Sequence, residues 1–182
     1  MPLQDIFVGR QPIYDRGLHC FGYELLYRSG EVNEAAVGDG NQATSQVLFN
    51  AVSEIGLDNL VGHRPAFINL TRDFLLSDWA TVIPPSRGVF EILEDVVVDA
   101  ELLRAVRGLR DRGYTIALDD FLYHEQLQPL VELADIIKID VLAIDRPGLA
   151  AHVARLRPWA VKLLDEKVET REVFSFCSDL GF

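Results

Sequence analysis

Apolar and polar positions alternate along the chain in blocks whose period switches between two and roughly 3.6, the spacings of strand and helix. Residues 6–13 read as a strand, 14–17 as a turn and 18–28 as a second strand, which predicts an antiparallel hairpin. A polar loop over 29–40 follows. Ala43, Val47, Ala51 and Ile55 then carry the spacing of a helix over 41–55, with Gly56 as its stop. Residues 65–70 form a short apolar strand leading into a helix to about Trp79. After a Pro84-Pro85 turn, 88–95 read as a strand with acids at its far end. Leu102, Leu103, Val106 and Leu109 predict a helix over 99–112, stopped by Gly113. Then come a buried strand over 114–120, a helical turn near 126–132 and a strand over 135–140. A helix over 149–156, a strand over 160–164 with an acidic tail to Glu169, and a helix over 171–180 complete the pattern.

Repeated strand-then-helix units imply a mainly parallel sheet covered on both faces, and six or more of them favour a closed barrel over an open sheet. The expectation is one α/β domain over 1–182, a TIM-type (β/α) barrel whose first strand pair is antiparallel.

Chemistry gathers where strands finish. Asp119 and Asp120 are adjacent carboxylates at the end of an apolar strand, where lost solvation costs several kcal/mol per unpaired charge. Either one caps the next helix while the other is solvated, or a divalent cation holds both. Glu24 and Arg28 share a strand face and are readable as an internal ion pair, Asn69 as a cap or turn former, and Lys138 as a surface lysine. Glu91 and Glu166 also lie at or near strand ends. In a parallel barrel those ends open onto one face, so an acid, amide or lysine at one end after another predicts a polar, metal-binding mouth. Its oxygen donors suit Mg²⁺ or Mn²⁺ better than zinc.

Composition narrows the classes. The 182 residues, 49% hydrophobic and 25% charged, suffice for one sizeable core. No run approaches the roughly 20 apolar residues of a membrane span, and Gln4, Asp5 and Arg10 interrupt any signal-peptide core. The expected location is the cytoplasm. A net charge of -11 repels a phosphate backbone and excludes general nucleic-acid binding. Cys20 and Cys177 lie far apart without zinc spacing, so they read as buried thiols.

Taken in order, these residues resemble the EAL-domain proteins associated with cyclic di-GMP hydrolysis in bacterial signal transduction. Gln11-Pro12-Ile13 resembles the family's opening QPI strand and Glu24-Leu25-Leu26-Tyr27-Arg28 its ExLxR segment. Phe67-Ile68-Asn69-Leu70-Thr71 resembles the strand bearing a metal-binding Asn. Glu91-Ile92-Leu93-Glu94 resembles the ExTE segment with Leu93 for Thr, and Leu118-Asp119-Asp120-Phe121 the LDDF motif. Ile137-Lys138-Ile139-Asp140 resembles the KID strand, and Glu166-Lys167-Val168-Glu169-Thr170 the EGVET segment. The stretches FVGRQPIYD, GYELLYR and DEKVET are similar to the subgroup fused to an HDOD domain. The resemblance implies that Glu24, Asn69, Glu91, Asp119 and Asp120 hold two divalent ions, Mg²⁺ or Mn²⁺, with Glu166 reaching one of them. It also implies that Lys138 positions or deprotonates the attacking water, that Gln11 and Arg28 contact the dinucleotide, and that Glu94 and Glu169 support the loops.

The pattern departs from the family in three places. Leu122-Tyr123-His124-Glu125-Gln126 stands where active members carry a Gly-rich loop that positions a metal and supports dimerisation. The segment after Arg28 lacks the usual substrate-side Pro and Phe. The chain stops at Phe182, short of a final strand bearing a Gln-Gly pair. The expectation is therefore a degenerate EAL-type module, C-terminally truncated relative to the family, that binds nucleotide or a partner. An active phosphodiesterase giving pGpG and a ligand-free interaction scaffold are the alternatives. Expected partners are cyclic di-GMP, an HDOD or other C-terminal domain, and a second copy of the chain.

Overall fold

The hairpin forms as β1 (Phe7–Tyr14) and β2 (Cys20–Arg28), paired antiparallel, in the computed structural model, which describes residues 7–28, 52, 54–77 and 82–182. The second strand begins two residues later than its apolar pattern predicts. Leu18 is left-handed at φ 59°, and the turn is locked by Leu18 N donating to Asp15 O and His19 N donating to Asp15 Oδ1, each at 2.9 Å. The loop predicted over 29–40, and most of the helix predicted over 41–55, lie outside the described residues.

The chain divides into two compact units, Met1–Phe90 and Glu91–Phe182. In the first, β3 (Ala66–Leu70) runs parallel to β2 with Glu24 opposite Phe67. A short helix, Leu57–Val61, precedes β3 where no element is predicted; Gly56 at φ 85° starts it. The helix after Thr71 is one turn, Arg72–Leu75, shorter than the pattern suggests. Leu25, Ala66, Phe67, Ile68 and Leu70 are buried at 1% exposure or less.

β4 (Gly88–Ile92) follows, buried along its whole length, and the chain turns immediately after it rather than extending to Asp95. In the second unit Asp99 caps the helix Ala100–Asp111, accepting from Glu101 N at 3.0 Å and Leu102 N at 2.8 Å. That helix buries Leu102, Val106 and Leu109, one face of its 3.6-residue repeat. β5 (Thr115–Leu118), β6 (Ile136–Asp140) and β7 (Lys162–Glu166) pair in parallel. Between them lie a 3₁₀ turn (Glu125–Leu127) with a one-turn helix (Gln128–Val131), and the helix Arg146–Leu156, which starts before Pro147 because a first-turn proline forfeits no helical hydrogen bond. The helix Arg171–Leu180 comes last and ends at left-handed Gly181.

Within each unit the paired strands neighbour one another in chain order, β1-β2-β3 in the first and β5-β6-β7 in the second. The predicted strand–helix alternation and antiparallel first pair are both present. Near-continuous burial of β4, β5 and β6 is what parallel strands covered on both faces require.

Candidate functional site

In the first unit three predicted site residues come together. Gln11 faces Glu24 across the β1–β2 ladder, so their side chains share a face, and Asn69 Nδ2 donates to Glu24 Oε1 at 3.2 Å. Gln11 is exposed, whereas Glu24 and Asn69 are half-buried. The Arg28 backbone closes the same ladder opposite Phe7; its side chain lies outside the described part.

The second unit gathers four more. Lys138, 1% exposed on β6, places Nζ 2.6 Å from Asp119 Oδ1, 2.7 Å from Glu91 Oε1 and 3.1 Å from Glu166 Oε1. Four strands supply them: Glu91 near the C-terminal end of β4, Asp119 just past β5, Glu166 at the end of β7, and Lys138 from the middle of β6. The backbone fixes this convergence, since Asp119 N donates to Ile92 O at 2.9 Å and Phe121 N to Lys138 O at 3.0 Å. Lys138 is thus a buried hub and not the surface lysine its position first suggests.

Asp120, the residue after Asp119, is exposed and left-handed at φ 42°, outside the extended alternation of β5. Glu94 and Glu169 are exposed. Sequence reasoning missed Lys167. This lysine, at φ 59°, pairs with Asp140, which also accepts from Leu142 N at 2.8 Å. Burial pushes the Asp140 carboxyl up, yet the Lys167 and Leu142 bonds outweigh it and hold it below the usual range. The Asp140 bond raises Lys167, with Asp120 and Glu166 adding their fields. The available signal was a lysine where the EGVET segment has glycine, at a position that needs glycine's backbone freedom.

The chemistry of the donor set fits a hard divalent cation. Its donors are carboxylate oxygens with no sulfur, three of them facing one ammonium. Among the described residues no three His, Cys, Asp or Glu groups close on one point as a metal cage. The ammonium stands within hydrogen-bond reach of all three acids.

The segment after Asp120 is held by packing. Phe121 is buried, Tyr123 packs tilted against Trp159 with ring centroids 5.3 Å apart, and His124 accepts from Gln126 N at 3.4 Å to cap the 3₁₀ turn. Leu122 is left 59% exposed.

No family model matches the chain. Over 97% of its length it is 35% identical to the uncharacterized protein YuxH of Bacillus subtilis and 33% identical to the cyclic di-GMP phosphodiesterase CdgJ of Vibrio cholerae. It spans 44% and 41% of those proteins, less than half of either. Among solved structures, the PaMucR phosphodiesterase in complex with c-di-GMP superposes with a TM-score of 0.72 at 24% identity, covering 97% of this chain and 86% of that one. The manganese and cyclic di-GMP complex of Klebsiella pneumoniae BlrP1 gives 0.73 at 20%, covering 100% and 54%. The EAL-domain protein YkuI of Bacillus subtilis, with c-di-GMP and calcium, gives 0.69 at 20%, covering 97% and 52%. The alternation, the strand order and these superpositions agree: the chain has the fold of the EAL-type (β/α) barrel, with its first strand pair antiparallel.

Proposed function

We propose that this chain is an EAL-type cyclic di-GMP signalling domain that binds the dinucleotide together with divalent metal and hydrolyses it slowly or not at all. The observation that carries the reading is the convergence of Glu91, Asp119 and Glu166 on the buried Lys138. Burying Glu91 and Lys138 and half-burying Asp119 and Glu166 costs solvation, and charged groups held this way cluster at functional sites.

Glu24, Asn69, Glu91, Asp119 and Asp120 would hold Mg²⁺ or Mn²⁺. Such ions supply a lower pKa for water and offset charge building on a phosphodiester. Gln11 and Arg28 take the dinucleotide, the guanidinium pairing with phosphate oxygens. Lys138, fixed by its acids, holds an ammonium where it positions a water or steadies an oxyanion, and Glu166 orients that ammonium. Glu94 and Glu169 brace the neighbouring loops.

Weak turnover is favoured by Leu122 to Gln126. Tyr123 packed on Trp159 replaces a flexible glycine loop with a fixed one beside Asp120. Full phosphodiesterase activity is the second reading, favoured by the 33% identity to CdgJ. The same proposal takes 1–182 as one EAL-type domain, with an HDOD or other C-terminal domain as signalling partner, self-association and a cytoplasmic location.

Titrating cyclic di-GMP calorimetrically into the purified chain with Ca²⁺ tests it. Micromolar binding that is lost in Glu24→Ala, with little pGpG formed in Mn²⁺, is the expected result. Rapid turnover in Mn²⁺ overturns the claim of weak catalysis. No binding by the folded chain overturns the nucleotide reading and leaves a scaffold.

A further inference from the structure

We propose that the Lys138 ammonium and a divalent cation are competing counter-charges for Glu91, Asp119 and Glu166, so that Lys138 holds the acids together without metal and limits how tightly metal binds. The inference rests on the metal-dependent nucleotide reading above.

Lys138 has little freedom to leave its site. It lies between the buried Ile137 and Ile139, its carbonyl accepts from Phe121 N, and β6 is paired with β7 through Lys138 opposite Leu164. A lysine at 1% exposure requires a counter-charge, and this one has three within 3.1 Å. An ammonium offers three donors, one for each carboxylate, and is a compact point charge. The acids it satisfies have exposures of 0%, 15% and 21%, so water does little to screen them.

A divalent ion bound by any of these oxygens sits within a few ångströms of Nζ, where like charges repel strongly. The three carboxylates draw a divalent cation in, while the ammonium opposes it. Removing the ammonium should therefore have two effects of opposite sign. The metal-free fold loses a buried counter-charge, and the acids become a stronger cation site. A lysine that was only a structural ion-pair partner would show the first effect alone.

The test compares wild type, Lys138→Met and Lys138→Arg in the full chain, by calorimetric titration with Ca²⁺ and by thermal melts in EDTA and in Ca²⁺. Lys138→Met should melt lower than wild type in EDTA, bind Ca²⁺ at least tenfold tighter, and gain more melting temperature from Ca²⁺. Lys138→Arg should move all three readings back toward wild type. Should Lys138→Met fail to fold in EDTA, Ca²⁺ restores its fold, and a chain still unfolded in saturating Ca²⁺ overturns the inference. Wild-type or weaker Ca²⁺ affinity in folded Lys138→Met, with cyclic di-GMP still bound by wild type, overturns this inference alone. Absence of both calcium and nucleotide binding in wild type and variant overturns the underlying reading and this inference with it.

Discussion

Neutralising one acid of the hub should leave the metal-free fold almost unchanged, which is not how a buried ion pair ordinarily behaves. In Asp119→Asn the shape is kept and one negative charge is lost. The attraction to Lys138 at 2.6 Å disappears, but so does repulsion from Glu91 and Glu166, which touch the same ammonium. With an effective dielectric of about 20, charges ~3 Å apart interact by about 5 kcal/mol and those ~5 Å apart by about 3 kcal/mol. One attraction lost thus roughly matches two repulsions removed, and the net change should lie within about 2 kcal/mol of zero. Removing a partner from an isolated buried pair would instead cost about 3–5 kcal/mol. Urea denaturation followed by circular dichroism in EDTA measures the difference. A loss above about 3 kcal/mol would refute the three-against-one charge count.

Two further outcomes follow from local chemistry. His152 is held below its ordinary 6.5 first by burial and then by the Arg155 charge, against a hydrogen bond to the Phe121 backbone; its Nε2 is buried with no hydrogen-bond partner among the described residues. Its folded pKa lies below the unfolded one, so the neutral form's contribution is full above about pH 6.5 and is lost as pH falls; melting temperature should drop through that window, and less steeply in His152→Gln. Asp99→Ala removes the acceptor of two first-turn N–H groups and should cost about 1 kcal/mol in urea denaturation, with Asp99→Asn recovering most of it.

Long periodic segments were the most legible part of the chain. The helix Ala100–Asp111 matches its pattern because Asp99 and Gly113 punctuate it and Leu102, Val106 and Leu109 need only one apolar partner surface. Leu57–Val61 was invisible, since five residues between two glycines carry too little periodicity to register. Leu18 looked like strand because its apolar character says nothing about φ, which the Asp15 turn decides. At the site, acids at strand ends were readable one by one. The role of Lys138 was not, because burial depends on four strands meeting and not on anything within Ile137-Lys138-Ile139. Lys167 escaped for the related reason that Asp140, its partner, lies 27 residues away.

Asp120 and Lys167 are both left-handed without being glycine, each directly after a residue that delivers an acid to the hub, Asp119 or Glu166. For most side chains that conformation costs on the order of 1 kcal/mol or more. Selection for heat resistance alone would therefore favour glycine at these two places, gaining thermal margin by erasing a carboxylate and an ammonium from the rim of the site. A laboratory lineage evolved for robustness and one evolved for ligand response should diverge first at residues 120 and 167.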